Sequence, residues 1–375
     1  MHKTSAWPLS QAYVALIVYA SLYPFTGWRD QGIVPWAFLW SPLPKYWTGF
    51  DITANLGGYV LLGFLMALSF MRRGARRTTP GNRSTAIGVA VFTAAVLSMC
   101  MEALQTYLPS RVPSNLDFGL NVAGALAGAL LAGGLEWAGY IDRWNRFRVR
   151  WFVENSRGAL VLLALWPFAL LFPAAVPLGL GQVFERMETA LTDWLLDTPF
   201  LQWLPVRDVE LQPLVPGAEL ICVALGALVP CLLGYSVIRT PGRRAIFAAA
   251  ALALGACVTA LSAALSWGPD HAWAWLSLPV QLGFLLALGL AMLLLPVSVR
   301  GCAALVLLAV MLHLSLLNQA PASAYFAQTL QTWEQGRFVR FHGLAQWLGW
   351  LWPYAVLLYV LLRVSRSDAQ NRMAG

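Results

Sequence analysis

Charged residues are scarce in this chain. Asp, Glu, Lys and Arg together make up 11% of its 375 residues, whereas 59% are hydrophobic. A soluble globular domain usually carries about a quarter charged residues. Apolar runs of roughly 18 or more residues recur along the whole length, which is what an α-helix needs to cross a bilayer. The composition therefore excludes an ordinary soluble domain and predicts an all-α fold, a polytopic bundle of transmembrane helices.

The sequence also lacks closely spaced pairs of cysteines, and it lacks the common catalytic motifs. The five cysteines lie singly in apolar segments, so the pattern predicts neither a zinc site nor a disulfide. Walker loops, GxGxxG, HExxH and nucleophile-elbow sequences do not occur. We therefore expect no metal and no cofactor, and we leave open whether the chain is an enzyme.

A net charge of +8 is compatible with nucleic-acid binding, but the positions of the basic residues indicate a membrane protein. Most Arg and Lys lie in short segments between apolar runs, as in the cytoplasmic loops of membrane proteins. With about ten spans and both termini cytoplasmic, 18 of the 25 basic residues fall on the inner side. We therefore expect membrane lipids, and not nucleic acid, as partners, while the oligomeric state stays open. The predicted spans lie near residues 10–27, 52–71, 84–107, 117–138, 158–180, 214–238, 245–267, 272–296, 300–319 and 344–363.

A basic segment near the middle of the chain marks a candidate domain boundary. Residues 139–157 include DRWNRFRVRWFVENSR and are predicted to form a cytoplasmic linker. It separates a four-span unit, 1–138, from a six-span unit of unknown type, 158–375. On the outer side, the segment 182–213 has apolar residues at helical spacing, which predicts an amphipathic helix near 182–204. An ordinary connector is the alternative there.

A stretch rich in polar residues joins the third and fourth predicted spans: MEALQTYLPSRVPSNLDFGLN, residues 101–121. It is predicted to contain the end of the third span, a turn broken by two prolines, and the start of the fourth. Polar groups at this density beside apolar helices are costly unless they are paired or functional. Asp51 and Asn55 share one face at the start of the second span, because they are four residues apart. The candidate ligand-binding residues of these helix ends are Asp51, Asn55, Glu102, Gln105, Arg111, Asp117 and Asn121.

Arg111 is the cation of this set. Its planar guanidinium can hold a carboxylate or a phosphate through two hydrogen bonds, so we expect Glu102 to be its partner. Gly124 and Gly128 form a GxxxG pattern in the fourth span, which predicts close packing against a neighbouring helix such as the second span, with its Gly63. A hydrogen-bonded plug that fixes helix register is the structural alternative to a ligand site.

Two segments resemble the VanZ-like family of membrane proteins. They are DITANLGGYVLLGF (51–64) and MEALQTYLPSRVPSNLDFGLNVAGALAG (101–128). The resemblance covers roughly residues 10–138 and leaves the six later spans unexplained. Some members carry Lys and His after the first Asp, where this chain has Ile52 and Asn55, so we expect no His-dependent proton transfer. The residues at matching positions are Asp51, Asn55, Gly63, Glu102, Gln105, Pro109, Arg111, Asp117, Asn121 and Gly124.

The resemblance implies a multi-pass protein of the bacterial cytoplasmic membrane. The family is associated with low-level resistance to the glycopeptide teicoplanin, and members occur near envelope polysaccharide genes. We hypothesise an outward-facing site for a lipid-linked or phosphorylated envelope component, with Arg111 on the anionic head group. The alternative is an enzyme acting on a polyprenyl phosphate or a glycan, with Glu102 or Asp117 as general base. A transporter is a further alternative, although the intramembrane charges cluster near one side.

Overall fold

The computed structural model describes residues 6–23, 25–44, 49–71, 80–154, 156–203, 211–321 and 339–373. Residues 45–48 lie outside these ranges, and so do residues 204–210 of the predicted outer segment 182–213. So does most of the basic loop that was predicted to follow the second span, residues 72–79.

The described residues fold into α-helices joined by short connections, with 3-10 turns at Ala37–Trp40, Pro199–Trp203 and Pro269–His271. The single β-bridge in the described residues joins Phe152 to Ile238. The predicted all-α class is therefore confirmed. The helices are α1 (Ala6–Leu22), α2 (Gly49–Met71), α3 (Pro80–Gln105), α4 (Asn115–Trp137), α5 (Tyr140–Trp151), α6 (Arg157–Leu170), α7 (Phe184–Leu195), α8 (Pro216–Tyr235), α9 (Pro241–Trp267), α10 (Leu278–Leu293), α11 (Val299–Leu317) and α12 (Val339–Met373).

Seven helices in the described part of the chain are long and apolar enough to cross a membrane. They are α2, α3, α4, α8, α9, α11 and the apolar part of α12, whereas α1, α6 and α10 are apolar but shorter. The chain is therefore a multi-pass membrane protein. The count of ten spans and the cytoplasmic position of both termini stay predictions.

The chain divides into two compact units, residues 1–148 and 149–375. In the first unit, α2 packs along α4, and α3 contacts both. A Cβ added to Gly63, Gly124 or Gly128 would overlap main-chain atoms of the facing helix. The close approach predicted from the small residues is therefore confirmed, and it brings the polar ends of these helices together.

The second unit is built around α8. Nearly every residue of this helix from Cys222 to Tyr235 is buried, with α10 and α11 packed against it. The fifth predicted span is shorter than expected, because α6 ends at Leu170, three residues after Pro167 and three before Pro173. The chain continues as the 171–183 loop.

The 171–183 loop is irregular but largely buried. Val176, Leu178 and Leu180 are in the core of the second unit. Irregular backbone is tolerated beside membrane helices when protein groups satisfy its hydrogen bonds. Here the Gly181 N–H donates to the Gly349 carbonyl over 2.8 Å, and the Tyr354 hydroxyl donates to the Gly181 carbonyl over 3.1 Å.

Candidate functional site at the α3–α4 junction

The α3–α4 junction, residues 102–121, is organised by Ser114. Its side chain caps α4 by accepting hydrogen bonds from the N–H groups of Leu116 and Asp117. Its own N–H donates to the Glu102 carboxylate over 2.8 Å. Glu102 is 4% exposed, and a buried carboxylate needs such a donor because it has left water. Ser114 thus ties the end of α3 to the start of α4, through its main-chain N–H on one side and its hydroxyl on the other.

Asp117 connects α4 to α2. Its carboxylate accepts a 2.8 Å hydrogen bond from the Asn55 amide. Glu102 and Asp117 both lie beside Ser114, because its N–H donates to the Glu102 carboxylate and its side chain accepts from the Asp117 N–H. Asn55 and Asp117 are partly exposed, in contrast to Glu102. The pair can therefore be reached from outside, and Glu102 lies behind it.

A buried polar layer lies below this pair. The Asn121 amide donates to the Ser98 hydroxyl over 2.9 Å. The Tyr59 hydroxyl lies near Ser98 and Glu102, but it forms no hydrogen bond of good geometry with the described residues. Sequence reasoning missed Ser98 as a member of the site. Its position four residues before Glu102, on the same face of α3, is the signal that could have found it.

Arg111 and Gln105 face the end of α1 instead. The Arg111 guanidinium donates to the carbonyl oxygens of Ala20 and Tyr23 over 3.2 and 2.6 Å. The Gln105 amide donates to the Ser21 carbonyl over 3.0 Å. The last carbonyls of a helix lack partners within it and carry partial negative charge, so a cation is favourable there. The contacts of Arg111 thus differ from the Arg111–Glu102 pair that we expected from the sequence.

Asp51 lies in the first turn of α2 and is partly exposed. A carboxylate is favoured at a helix N-terminus by the helix dipole. Asp51 is four residues before Asn55 on the same helix, so its side chain extends the face that carries the Asn55–Asp117 pair.

Residues 28–44 cover the junction. The Gln31 amide donates to the Thr106 carbonyl over 2.7 Å, and the Asn115 amide donates to the Ser41 carbonyl over 2.6 Å. Phe38 is buried and packs edge-on against Phe118, with 6.4 Å between ring centroids. The tryptophans of this segment, in contrast, are exposed. The role of this segment as a cover was not foreseen from the sequence.

The chemistry of the junction is that of hydrogen-bond acceptors. Carboxylates from α3 and α4 converge beside amide groups from α2 and α4, and such groups bind hydroxyl or ammonium hydrogens. Among the described residues, no group of three or more His, Cys, Asp or Glu side chains is arranged to hold a metal ion. The structure brings together Asn55, Glu102, Asp117 and Asn121, with Asp51 on the same face, and directs Gln105 and Arg111 towards α1.

Comparison with known proteins gives one match. No curated protein and no solved structure matches the chain. The family model that matches is VanZ/LLP1, over residues 3–136. This range includes α1 to α4 almost completely and thus the whole junction. The resemblance expected over residues 10–138 is therefore confirmed, and we call the matched residues 3–136 the VanZ/LLP1 segment.

Proposed function

We propose that the VanZ/LLP1 segment binds a lipid-linked envelope component at the outer face of the bacterial cytoplasmic membrane. The α3–α4 junction would hold the hydroxyl-bearing part of this molecule, its glycan. The observation that carries the proposal is the Asn55–Asp117 hydrogen bond, a partly exposed amide–carboxylate pair next to buried Glu102. Amide and carboxylate groups placed side by side suit sugar hydroxyls, which both donate and accept hydrogen bonds.

Asp51, Asn55 and Asp117 contact the ligand in this proposal, because they are the partly exposed members of the face. Glu102 and Asn121 are buried behind them and act as positioning residues. Arg111, which we expected to hold an anionic head group, and Gln105 position the junction against α1 through their carbonyl contacts. The glycan, rather than the phosphate, is therefore the group recognised at the junction.

The cover formed by residues 28–44 supports access from the lipid phase. Trp36 and Trp40 are exposed beside the junction, and tryptophan is enriched where membrane proteins meet the head-group layer. A lipid-linked molecule diffusing in the membrane would reach the Asn55–Asp117 pair past these rings. Binding of a cell-wall precursor there would change its availability to a glycopeptide such as teicoplanin or to polysaccharide assembly.

A binding experiment tests this function. The full chain is purified in maltoside detergent, and its affinity is measured for a polyprenyl-diphosphate disaccharide and for the same polyprenyl diphosphate without sugar. We expect the glycolipid to bind more tightly. Asp117→Asn should weaken its binding by about tenfold, since a hydrogen bond to a charged group contributes about 1.5–3 kcal/mol.

Glu136→Gln is the matched control for this experiment. Glu136 is also an acid of α4, but it pairs with Arg83 at the opposite end of the helix, over 3.0 Å. Its substitution should leave the affinity unchanged. Equal binding of the two lipids, with no effect of Asp117→Asn, would reject recognition of the glycan.

The position of Glu102 and Asp117, both beside Ser114, favours an enzyme as the second candidate function. Two carboxylates that interact electrostatically hold their protons unequally, so one can act as acid while the other acts as base. Incubation of the same glycolipid with the purified chain, followed by mass spectrometry, tests for turnover. Catalysis is indicated if the unmodified chain forms a product and the Glu102→Gln variant forms none while still binding the glycolipid.

A further inference from the structure

Helix α5 lies in the segment that was predicted to be a linker. Its sequence is YIDRWNRFRVRW, and none of its residues is buried. The part of α5 that belongs to the first unit, residues 140–148, contains Asp142 and three arginines, which are Arg143, Arg146 and Arg148. This part of the helix therefore has a net charge of +2.

One face of α5 is aromatic. Tyr140, Trp144 and Phe147 recur at the four- and three-residue spacing that places side chains on one side of a helix. The three side chains are 54%, 55% and 38% exposed. The rings of Trp144 and Phe147 are stacked, with 5.4 Å between their centroids. Exposed rings on one face of a basic helix suit the boundary between lipid head groups and acyl chains.

Arginines lie on both sides of the aromatic face. Successive residues of an α-helix are about 100° apart. Arg143 precedes Trp144, and Arg148 follows Phe147, so the two arginines flank the rings on opposite sides. The Arg143 guanidinium carbon lies 5.1 Å from the centre of the Tyr140 ring, a cation–π contact that leaves the N–H groups directed outwards in the guanidinium plane.

Arg146 and Arg148 can reach a ligand. Neither guanidinium forms an ion pair or a hydrogen bond with the residues that the structure describes. Arg146 is exposed and Arg148 is half-buried. A guanidinium binds a phosphate group through two parallel N–H donors. These side chains therefore fit a surface that presents phosphates.

Helix α5 begins where a membrane span ends. α4 is long and apolar enough to cross a bilayer and ends at Trp137, which is 77% exposed. Gly139 has a φ of +73°, a left-handed conformation that is typical of the residue after a helix. Trp137 and Tyr140 are three residues apart, at most about 11 Å of chain. α5 therefore starts at about the depth of the lipid head groups.

We propose that α5 is an interfacial helix that binds anionic phospholipids. Its aromatic face contacts the glycerol groups and the first acyl carbons, and its arginines pair with the lipid phosphates on both sides of the rings. The positive charge selects an anionic lipid over a zwitterionic one. The position of α5 directly after α4 favours the bilayer over a soluble polyanion. This site is separate from the α3–α4 junction and does not depend on the function proposed for it.

Hydrogen exchange of the full chain, measured by mass spectrometry of its peptides, tests the proposal. Single chains are placed in nanodiscs of dioleoyl phosphatidylcholine, with or without dioleoyl phosphatidylglycerol. We expect the α5 amides to exchange about tenfold more slowly, or slower still, when phosphatidylglycerol is present. Replacing Arg143, Arg146 and Arg148 together by glutamine should remove this difference, and glutamine is as good a helix former as arginine. Equal exchange in the two discs, or a difference that the glutamine variant keeps, overturns the proposal.

Helix α7 is the matched control within the same chain. It also has 12 residues, none of them buried, but it carries three acids and one arginine. Its exchange should therefore not slow when phosphatidylglycerol is added. Equal slowing of α5 and α7 would indicate a general effect of the lipid and would count against a site on α5.

The aromatic face is tested by Trp144→Gln. This variant should speed the exchange of α5 in both kinds of disc, because it removes a ring that anchors the helix in the interface. Unchanged exchange would contradict the interfacial position. Two other occupants are distinguished by the same measurement. Slowing that needs two chains in one disc would indicate a second copy, and slowing by an added oligonucleotide but not by phosphatidylglycerol would indicate nucleic acid; either result overturns the proposal.

Discussion

The Ser114 N–H donates a 2.8 Å hydrogen bond to the buried carboxylate of Glu102. The two residues lie on either side of the turn that joins α3 to α4, so this contact connects the helices independently of their apolar packing. Glu102→Ala removes the acceptor and leaves the Ser114 N–H without this partner. Loss of such a hydrogen bond costs about 0.5–1.5 kcal/mol, so we expect a lower thermal midpoint in detergent.

Glu102→Gln is the informative companion, because its side-chain oxygen can still accept the Ser114 N–H. We expect a smaller fall in the midpoint than for Glu102→Ala. If the two substitutions destabilise the chain equally, the charge of Glu102 and not the hydrogen bond accounts for its contribution.

The cap of α4 gives a second prediction. The Ser114 side chain accepts from the N–H groups of Leu116 and Asp117 at 3.1 and 3.4 Å. Replacement of a serine cap by alanine typically costs about 1 kcal/mol. Ser114→Ala should therefore lower the thermal midpoint, whereas Ser110→Ala, at an exposed position of the same turn, should not. Equal midpoints for the two variants would contradict the capping role.

The close packing of α2 and α4 predicts opposite effects at two glycines of one helix. A Cβ at Gly128 would overlap the Val60 carbonyl, whereas a Cβ at Gly134 would meet nothing within 4 Å. Gly128→Ala should separate α2 from α4 and destabilise the chain by about 1–3 kcal/mol, as overpacking does. Gly134→Ala should be neutral or stabilising by up to about 1 kcal/mol, because alanine favours a helix over glycine.

Thermal midpoints of the two glycine variants in the same detergent decide this prediction. The substitution is the same and both positions lie on α4, so differences in helix propensity cancel. A Gly128→Ala variant as stable as Gly134→Ala would mean that the two helices are less closely packed than the structure indicates.

The contacts of Arg111 predict that it stabilises the end of α1. Its guanidinium donates to the Ala20 and Tyr23 carbonyls and is 8% exposed. Arg111→Gln should lower the thermal midpoint by the equivalent of about 1.5–3 kcal/mol, the value of hydrogen bonds to a charged group. Arg29→Gln, at an exposed position, is the control and should have little effect. A ligand-binding role without a structural one would give the reverse, a lower affinity at an unchanged midpoint.

Arg244 of the second unit offers a parallel. It is also buried, and it donates to the carbonyl of Tyr235, the last residue of α8, and to the Ile238 and Leu295 carbonyls. Each unit thus places a buried arginine on the carbonyl oxygens at the end of a helix. The sequence does not distinguish such an arginine from one that binds an anion, because both kinds occur in polar segments at the ends of apolar spans.

The polar face of α4 shows what residue spacing predicts and what it does not: it predicts the face of the helix but not the neighbouring helix that each side chain contacts. The four-residue spacing of Asp117 and Asn121 correctly puts them on one side of the helix. They nevertheless meet different neighbours, since Asp117 accepts from Asn55 on α2 and Asn121 donates to Ser98 on α3. Which helix each side chain reaches depends on the packing of three helices around one another.

The sequence by itself determined the membrane class, the match of residues 3–136 to the VanZ/LLP1 family and the spacing of polar residues along each helix. These features depend on hydropathy and on spacing within single helices, which are local properties. The tertiary structure decided the partners: it directed Arg111 to the carbonyls of α1, it placed residues 28–44 over the junction, and it buried the 171–183 loop. Such contacts join residues far apart in the chain, so they depend on how closely the helices pack and on which main-chain groups their ends leave unpaired.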